Sequence, residues 1–219
     1  MAESAEAATL RAGAAALGVA LDNAQCGALL RLLDELQLWA RAYNLTAIGA
    51  RAAMLTHHLL DSLSAAPWLH GERIADLGTG AGFPGLPLAI ACPQRHFTLV
   101  DSTAKKIRFI EHAVRTLGLR NVQALHSRIE TLHGVSGAGP WDTLLARALA
   151  PLDTLLPLLR PLSGADTRVL AMCGRLPQQE LAELPVGWRL EQQHPIRVPG
   201  LDAERHLLLL VRQSDSPMP

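Results

Sequence analysis

No cysteine pair at metal-binding or redox spacing occurs in the sequence. Cys26, Cys92 and Cys173 stand far apart and none belongs to a C-x-x-C string, which leaves neither a disulfide framework nor a zinc site to expect. Buried thiols are the expectation for all three. An excess of charge is missing too: 20 Lys and Arg balance 20 Asp and Glu. That balance argues against broad binding to polyanions, although a local basic face can hold RNA on a neutral chain. No apolar run approaches the roughly 20 residues a membrane span needs; a typical long one covers only 207–211. The N-terminus Met1-Ala2-Glu3-Ser4-Ala5-Glu6 is acidic where a secretory signal is basic. The expectation is therefore a cytoplasmic protein without membrane contact, and no internal repeat is visible.

What is present is a globular composition, 49% hydrophobic and 18% charged over 219 residues, which suits one α/β domain with a modest extension. Between positions 22 and 42 apolar residues such as Leu29, Leu32, Leu33 and Leu36 recur at three- and four-residue spacing, the pattern of an amphipathic helix. A second helical stretch is expected over 51–69, after the turn-like Asn44-Leu45-Thr46, so residues 1–70 read as a strandless helical extension packed on the core. After Gly71 short apolar runs alternate with helical ones, the signal for βαβ units. Strands are expected at 73–77, 96–100, 122–125, 143–146 and 168–172, and helices at 85–91, 104–117, 152–159 and 177–184. Two further strands, 188–195 and 205–212, have no helix between them and read as an antiparallel hairpin closing one sheet edge. Residues 71–213 then form the main domain, and 214–219 a loose tail. A mainly parallel sheet ending in such a hairpin resembles the Rossmann-like fold of S-adenosylmethionine-dependent methyltransferases, a likeness of layout.

The glycine loop Gly78-Thr79-Gly80-Ala81-Gly82-Phe83-Pro84-Gly85 follows the first strand and opens a helix. Backbone N–H groups at a positive helix end, with glycines that let a ligand come close, suit a nucleoside cofactor. Read from Gly80 the loop satisfies G-x-G-x-x-G, and Asp101 follows at a distance suited to a ribose-binding acid, so an NAD-binding oxidoreductase stands as an alternative. Asp76 speaks against it, because its carboxylate just before the loop meets a pyrophosphate with like charge. S-adenosylmethionine carries an ammonium and a sulfonium instead. On this reading Asp76, Gly78, Gly80, Gly82 and Phe83 belong to the cofactor site.

Asp101 ends the second strand, where its carboxylate can accept both ribose hydroxyls; capping the helix from Ala104 is the plainer use. In Ser127-Arg128-Ile129-Glu130, at the end of the third strand, Ile129 is placed to pack on the adenine and Glu130 to accept from its amino group. The ends of strands four and five should supply the acceptor side. They read Ala146-Arg147-Ala148-Leu149-Ala150-Pro151 and Met172-Cys173-Gly174-Arg175, with no Asn/Asp-Pro-Pro-aromatic string of an adenine-N6 enzyme. Cys173 keeps open a cytosine-C5 reaction on RNA, although no Pro-Cys accompanies it. An acceptor that is already nucleophilic, such as guanine N7, needs alignment only. Arg147 is then the positioning residue, on guanine O6, a phosphate or the cofactor's carboxylate, and no general base is expected.

At this point the chain resembles the family of ribosomal small-subunit RNA methyltransferase G, also called glucose-inhibited division protein B. The strings that carry the likeness run nearly end to end: Trp39-Ala40-Arg41-Ala42-Tyr43-Asn44-Leu45-Thr46, His58-Leu59-Leu60-Asp61-Ser62, the glycine loop with Pro84-Gly85, Thr98-Leu99-Val100-Asp101-Ser102, Ser127-Arg128-Ile129-Glu130, Arg147-Ala148 and Leu201-Asp202-Ala203-Glu204-Arg205-His206-Leu207. The resemblance implies methyl transfer from S-adenosylmethionine to N7 of a guanine in the 530 loop of 16S rRNA, the family's guanine 527, either free or within the 30S subunit. It implies cofactor contacts at Gly78, Phe83, Asp101, Ile129, Glu130 and Arg147, and a monomer is expected. Where the family usually has Lys-Gly after strand five this chain has Cys173-Gly174, and Arg175 is the candidate replacement.

Lys105 and Lys106, with Arg108, Arg115 and Arg120, sit on or just after one helix and are candidates for an RNA backbone groove or else a solvated face. Arg205 and His206 join them as RNA candidates, and alternation along a strand should point them to opposite sides. His57 and His58, adjacent on a helix, should face different ways, so no metal site is expected there. Trp39 and Tyr43, four apart, read as a core contact. A module that binds RNA without catalysis is the non-enzyme alternative, and the intact Asp76, Gly78, Gly80 and Asp101 speak against it.

Overall fold

The computed structural model describes residues 4–134 and 139–213, so the tail expected at 214–219 lies outside the described residues. Helices α1 (Ala5–Ala16) and α2 (Asn23–Tyr43) open the chain. Asp22 starts α2 with a capping box, its carboxylate accepting from Gln25 N at 2.7 Å while the Gln25 side chain accepts from Asp22 N at 2.9 Å. Asn44 ends it in the left-handed conformation. The stretch expected as one helix over 51–69 is instead broken: α3 (Arg51–Met54) runs into a π-helical segment Leu55–Leu60, then α4 (Asp61–Leu63) and a 3₁₀ turn Ala66–Trp68. Hydrophobic spacing does not separate α from π winding, which is why the sequence shows one element there.

The rest alternates strand and helix: β1 (Arg73–Leu77), α5 (Gly85–Ala91), β2 (His96–Asp101), α6 (Ala104–Leu117), β3 (Val122–His126), a 3₁₀ turn Ile129–Gly134, β4 (Trp141–Arg147), α7 (Leu152–Leu159), β5 (Ser163–Cys173) and α8 (Gln178–Ala182). Strands β6 (Trp188–Pro195) and β7 (His206–Arg212) close the chain. The sheet order is β3-β2-β1-β4-β5-β7-β6, with the first five strands parallel and the last pair antiparallel. Strand β5 begins five residues before the sequence suggests, because Ser163 pairs Trp141 ahead of an irregularity in the β4–β5 register. Strand β7 begins at His206, so Arg205 precedes it and is not fixed by strand alternation.

One core cluster joins Leu10, Leu29, Leu32, Leu33 and Leu36 of the N-terminal helices to Leu86, Phe97, Phe109 and Ile110 of the βαβ part. Trp39 packs on that core, within 5.7 Å of Phe109 and 5.0 Å of His112 between ring centroids, whereas Tyr43 is half exposed. A second cluster, with Leu144, Leu155, Leu159, Val169 and Leu208, fills the other face of the sheet. Among the described residues no helix is long and apolar enough to cross a membrane.

Chain order reverses between β1 and β4, which run on from the same edge of the sheet to loops that part in opposite directions. Open α/β sheets bind ligands at the carboxyl ends of strands beside such a switch point.

Candidate functional site

Two cavities open at that switch point. The first, about 420 Å³, is lined by Gly78 after β1, by Val100, Asp101, Ser102 and Thr103 at the end of β2, by Lys106 on α6, by Ser127–Glu130 after β3, and by Arg147–Leu149 after β4. The second, about 330 Å³, is lined by Ile48 from the loop after α2, by His57, His58 and Asp61 from the N-terminal helices, by Arg147 and Ala148, by Met172, Cys173 and Gly174, and by Arg205. Both volumes fall in the usual range for small-molecule sites. Arg147 and Ala148 belong to both, so the cavities meet there.

The glycine loop takes its shape from close packing. Gly78 has φ of +66°, and a Cβ on it would lie 2.3 Å from Leu149 Cδ1, so only glycine fits. At Gly85 a Cβ would lie 2.8 Å from both Asp76 Oδ2 and Leu99 Cγ, which is how closely α5 sits on the sheet. Asp76 lies beneath this loop at 1% exposure, where Oδ2 accepts from Thr79 Oγ1 at 2.5 Å and from Gly85 N at 2.8 Å. Its Oδ1 is buried without a hydrogen-bond partner among the described residues. Burial raises the Asp76 carboxyl to about 6 in spite of those two hydrogen bonds. Phe83 is also buried, stacked on the His58 ring with centroids 4.8 Å apart. Gly82 packs against Leu86 and Ile110.

Asp101, 6% exposed, is the most heavily used carboxylate of the first cavity. Oδ2 accepts from Gly80 N at 3.0 Å and lies 3.3 Å from Lys106 Nζ, while Oδ1 accepts from Thr103 N at 2.8 Å. It thereby ties the glycine loop to the start of α6, whose N-cap position, Thr103, offers no side-chain cap. The structure moves Lys106 from the expected RNA face into the first cavity, because its ammonium is drawn to Asp101. Lys105, next to it, stays exposed. Ile129 and Glu130 line the cavity as expected, on the 3₁₀ turn after β3. The wall carries both signs, Asp101 and Glu130 against Lys106, Arg128 and Arg147, and its two carboxylates can accept from ribose hydroxyls.

The second cavity was the less legible. Asp61, 4% exposed, accepts from Arg147 Nη1 at 3.2 Å through Oδ2 and from Arg205 Nε at 2.8 Å through Oδ1. Sequence reasoning passes over it as a site residue, yet an aspartate between Leu59-Leu60 and Leu63 on a buried helix face signals a partner, because carboxylates are rarely buried alone. His57 and His58 line the same cavity, against the expectation of different faces. They lie in the π segment, whose wider turn sets neighbours at a smaller angle. His58 Nε2 is 2.9 Å from Thr46 Oγ1, and burial, with Arg147 and His57 nearby, pushes its pKa down to about 4. Ala148 adopts a left-handed φ of +47°, an uncommon conformation for a residue with a Cβ and one that clusters at functional sites.

Arg175 faces a third recess with Ala146, Pro151 and Glu180 rather than either main cavity, and His206 Nδ1 pairs with the Gly174 carbonyl at 2.8 Å. Cys173 lines the second cavity, but burial pushes its thiol up, away from the reactive thiolate. No group of three or more His, Cys, Asp or Glu among the described residues is placed to hold a metal ion.

His58 and Asp76 have opposite consequences for stability against pH. Between about pH 4 and 6.5 the unfolded chain takes a proton on His58 that the folded chain refuses, so this residue lowers stability as pH falls. Between about 3.8 and 6 the folded chain keeps a proton on Asp76 that the unfolded chain releases, so stability gains as pH falls. The two oppose one another between about 4 and 6. His58→Gln is therefore expected to gain stability relative to the parent on acidification from pH 7 to 4.5, by at most about 1.4 kcal/mol per unit. Urea unfolding at the two pH values checks it, and a constant difference between the proteins refutes it.

Comparisons with known proteins agree with this layout. The family described as rRNA small subunit methyltransferase G matches residues 25–208. The chain is 48% identical over 206 residues to the ribosomal RNA small subunit methyltransferase G of Stenotrophomonas maltophilia, covering 92% of this chain and 93% of that one. It is 42% identical over 203 residues to the protein of the same name from Marinobacter nauticus, covering 93% and 94%. The solved structure of a SAM dependent methyltransferase from Aquifex aeolicus shares the fold, with a TM-score of 0.54 at 16% identity over 70% of this chain and 90% of that one.

Proposed function

This chain belongs to the rRNA small subunit methyltransferase G family, and from that premise we propose that it transfers a methyl group from S-adenosylmethionine to N7 of a guanine in the 530 loop of 16S rRNA. The observation that carries the reading is the junction of the two cavities at Arg147 and Ala148. A donor in the first and a base in the second meet at one point, which is the arrangement a group transfer needs. The carboxylates of Asp101 and Glu130 and the hydroxyl of Ser127 are the groups that would hold the cofactor, beside the apolar Val100, Ile129 and Leu149.

When bound, that cofactor supplies a methyl group on a sulfonium, which the free lone pair of guanine N7 accepts with no proton to remove. The protein's part is to align and to exclude water. Arg147 lines both cavities and would hold the base between them. His58, neutral at physiological pH, adds no positive charge beside Arg147. No base is required.

Purified protein, tritiated S-adenosylmethionine and 16S rRNA lacking the modification test the proposal, with free rRNA and assembled 30S subunits as parallel arms. Label on one guanine of the 530 loop, cleavable by chemistry specific for N7-methylguanine, is the expected product, in the free rRNA arm, the 30S arm or both. Label on cytosine C5 overturns the reading. In the same assay Cys173→Ser is expected to keep its rate within about threefold, because an N7 transfer needs no thiolate nucleophile. Loss of more than about a hundredfold would return the cytosine mechanism to consideration.

A further inference from the structure

Asp61 does more than the alignment just described requires. Each of its oxygens already takes one arginine, Arg147 from the end of β4 and Arg205 from the segment before β7. A carboxylate offers about four lone-pair positions, so two remain. Burying the Asp61 carboxylate at a cavity wall, between two arginines whose side chains stay 26% exposed, is costly, and replacing buried ion pairs with apolar side chains commonly costs a protein little stability, so the cluster is a poor device for folding alone. Its members instead present a pattern. Arg147 Nη1 and Asp61 Oδ2 set a donor beside an acceptor 3.2 Å away, both on the wall of the second cavity.

Guanine offers the complement. Its O6 accepts, and the neighbouring N1–H and exocyclic amino group donate; adenine presents the reverse, an amino donor at position 6 beside an acceptor N1. We infer that Asp61 reads the target base, accepting from guanine N1–H while Arg147 donates to O6. The inference rests on the proposed N7 reaction and adds base specificity to it. The placement is consistent with both cavities. O6 lies between N1 and N7 on the ring, Arg147 lines both cavities, and Asp61 lines the second. A base held by O6 to Arg147 and by N1 to Asp61 therefore turns N7 toward the cavity that would hold the methyl donor.

The surroundings support a bound base. Ile48, Met172 and Ala148 give the second cavity apolar wall against which a ring can pack. Arg205 on the far oxygen holds the Asp61 carboxylate in one orientation, so that its acceptor geometry is set before the base arrives.

The test uses the full-length protein and 16S rRNA assembled by ligation, with the target position carrying guanine, 1-methylguanine or 7-deazaguanine. The first analogue keeps O6 and N7 but removes N1–H; the second removes N7. The parent protein is expected to transfer to 1-methylguanine at least about tenfold more slowly than to guanine, the size of one lost hydrogen bond to a charged group. Asp61→Asn is expected to slow transfer to guanine by about tenfold but to leave the slow rate on 1-methylguanine within about twofold, because the contact it weakens is already absent. Its affinity for S-adenosylmethionine and its melting temperature establish that the variant is folded. Equal slowing of Asp61→Asn on both bases overturns the inference and makes Asp61 a brace for its arginines. Should the variant not fold, equal rates of the parent on guanine and 1-methylguanine overturn it without any substitution; 1-deazaguanine, which lacks the N1 donor without an added methyl, then decides the cause of any slowing, a loss of at least about tenfold on it supporting the inference and a rate equal to that on guanine overturning it. Methylation of the 7-deazaguanine substrate at the target position defeats the underlying N7 reading instead, so the two failures are told apart.

Discussion

Arg147→Ala is expected to slow single-turnover methyl transfer by about 10- to 100-fold, the loss when an aligned acceptor forfeits part of its proximity advantage. The factor should be similar at every pH from about 6.5 to 8.5, because guanine N7 is unprotonated there and nothing titrates in the reacting pair. The structure adds a second reason for a large effect. Arg147 is one of two cations on the buried Asp61, so truncation also leaves that carboxylate paired with Arg205 alone. Arg147→Lys should recover little, since a single ammonium cannot reproduce a planar guanidinium that touches Asp61 and has further donors to offer the proposed base. Rapid-quench measurements across the pH window check both statements. A steep rise of the parent rate with pH would show that a general base is needed and would end the base-free mechanism.

Asp101→Ala is expected to weaken S-adenosylmethionine binding by about 1.5–3 kcal/mol, the range for hydrogen bonds to a charged acceptor. In the absence of ligand the carboxylate already orders its own wall: it takes the N–H of Gly80 and of Thr103 and the ammonium of Lys106. Alanine therefore loosens the glycine loop as well as removing an acceptor, and leaves Lys106 as an unopposed cation beside a cationic ligand. Asp101→Asn keeps the shape and one acceptor oxygen, and a smaller loss is expected of it. Titration calorimetry on folded variants is the measurement, and an unchanged dissociation constant for the alanine variant removes Asp101 from the site.

The sheet and its crossovers were legible because each βαβ unit carries its own local signal: the bounds of β1, α5, α6 and β6 could be read directly from apolar runs and turn residues. The first cavity was legible for the same reason, being built from residues at or just past strand ends, where Gly78, Asp101, Ile129, Glu130 and Arg147 fall. Distance along the chain hid the rest. Asp61 acquires meaning only from Arg147 and Arg205, and no local pattern joins them. Lys106 reads as one more cation on a basic helix until Asp101 is seen in front of it. The π winding of Leu55–Leu60 has the same apolar spacing as an α-helix, so the convergence of His57 and His58 on one cavity was invisible.

The reach of the Asp61 contacts has a consequence for how the protein comes into being. Asp61 is 86 residues from Arg147 and 144 from Arg205. On the ribosome, the glycine loop, Asp101 and the Ser127–Glu130 turn all emerge before the second cavity has its last wall. A chain short of residue 205 has Arg147 as the one partner of this pair for Asp61 and lacks the Arg205 wall of the second cavity. Synthesis thus supplies the lining of the first cavity before that of the second, which is complete only when Arg205 has been added.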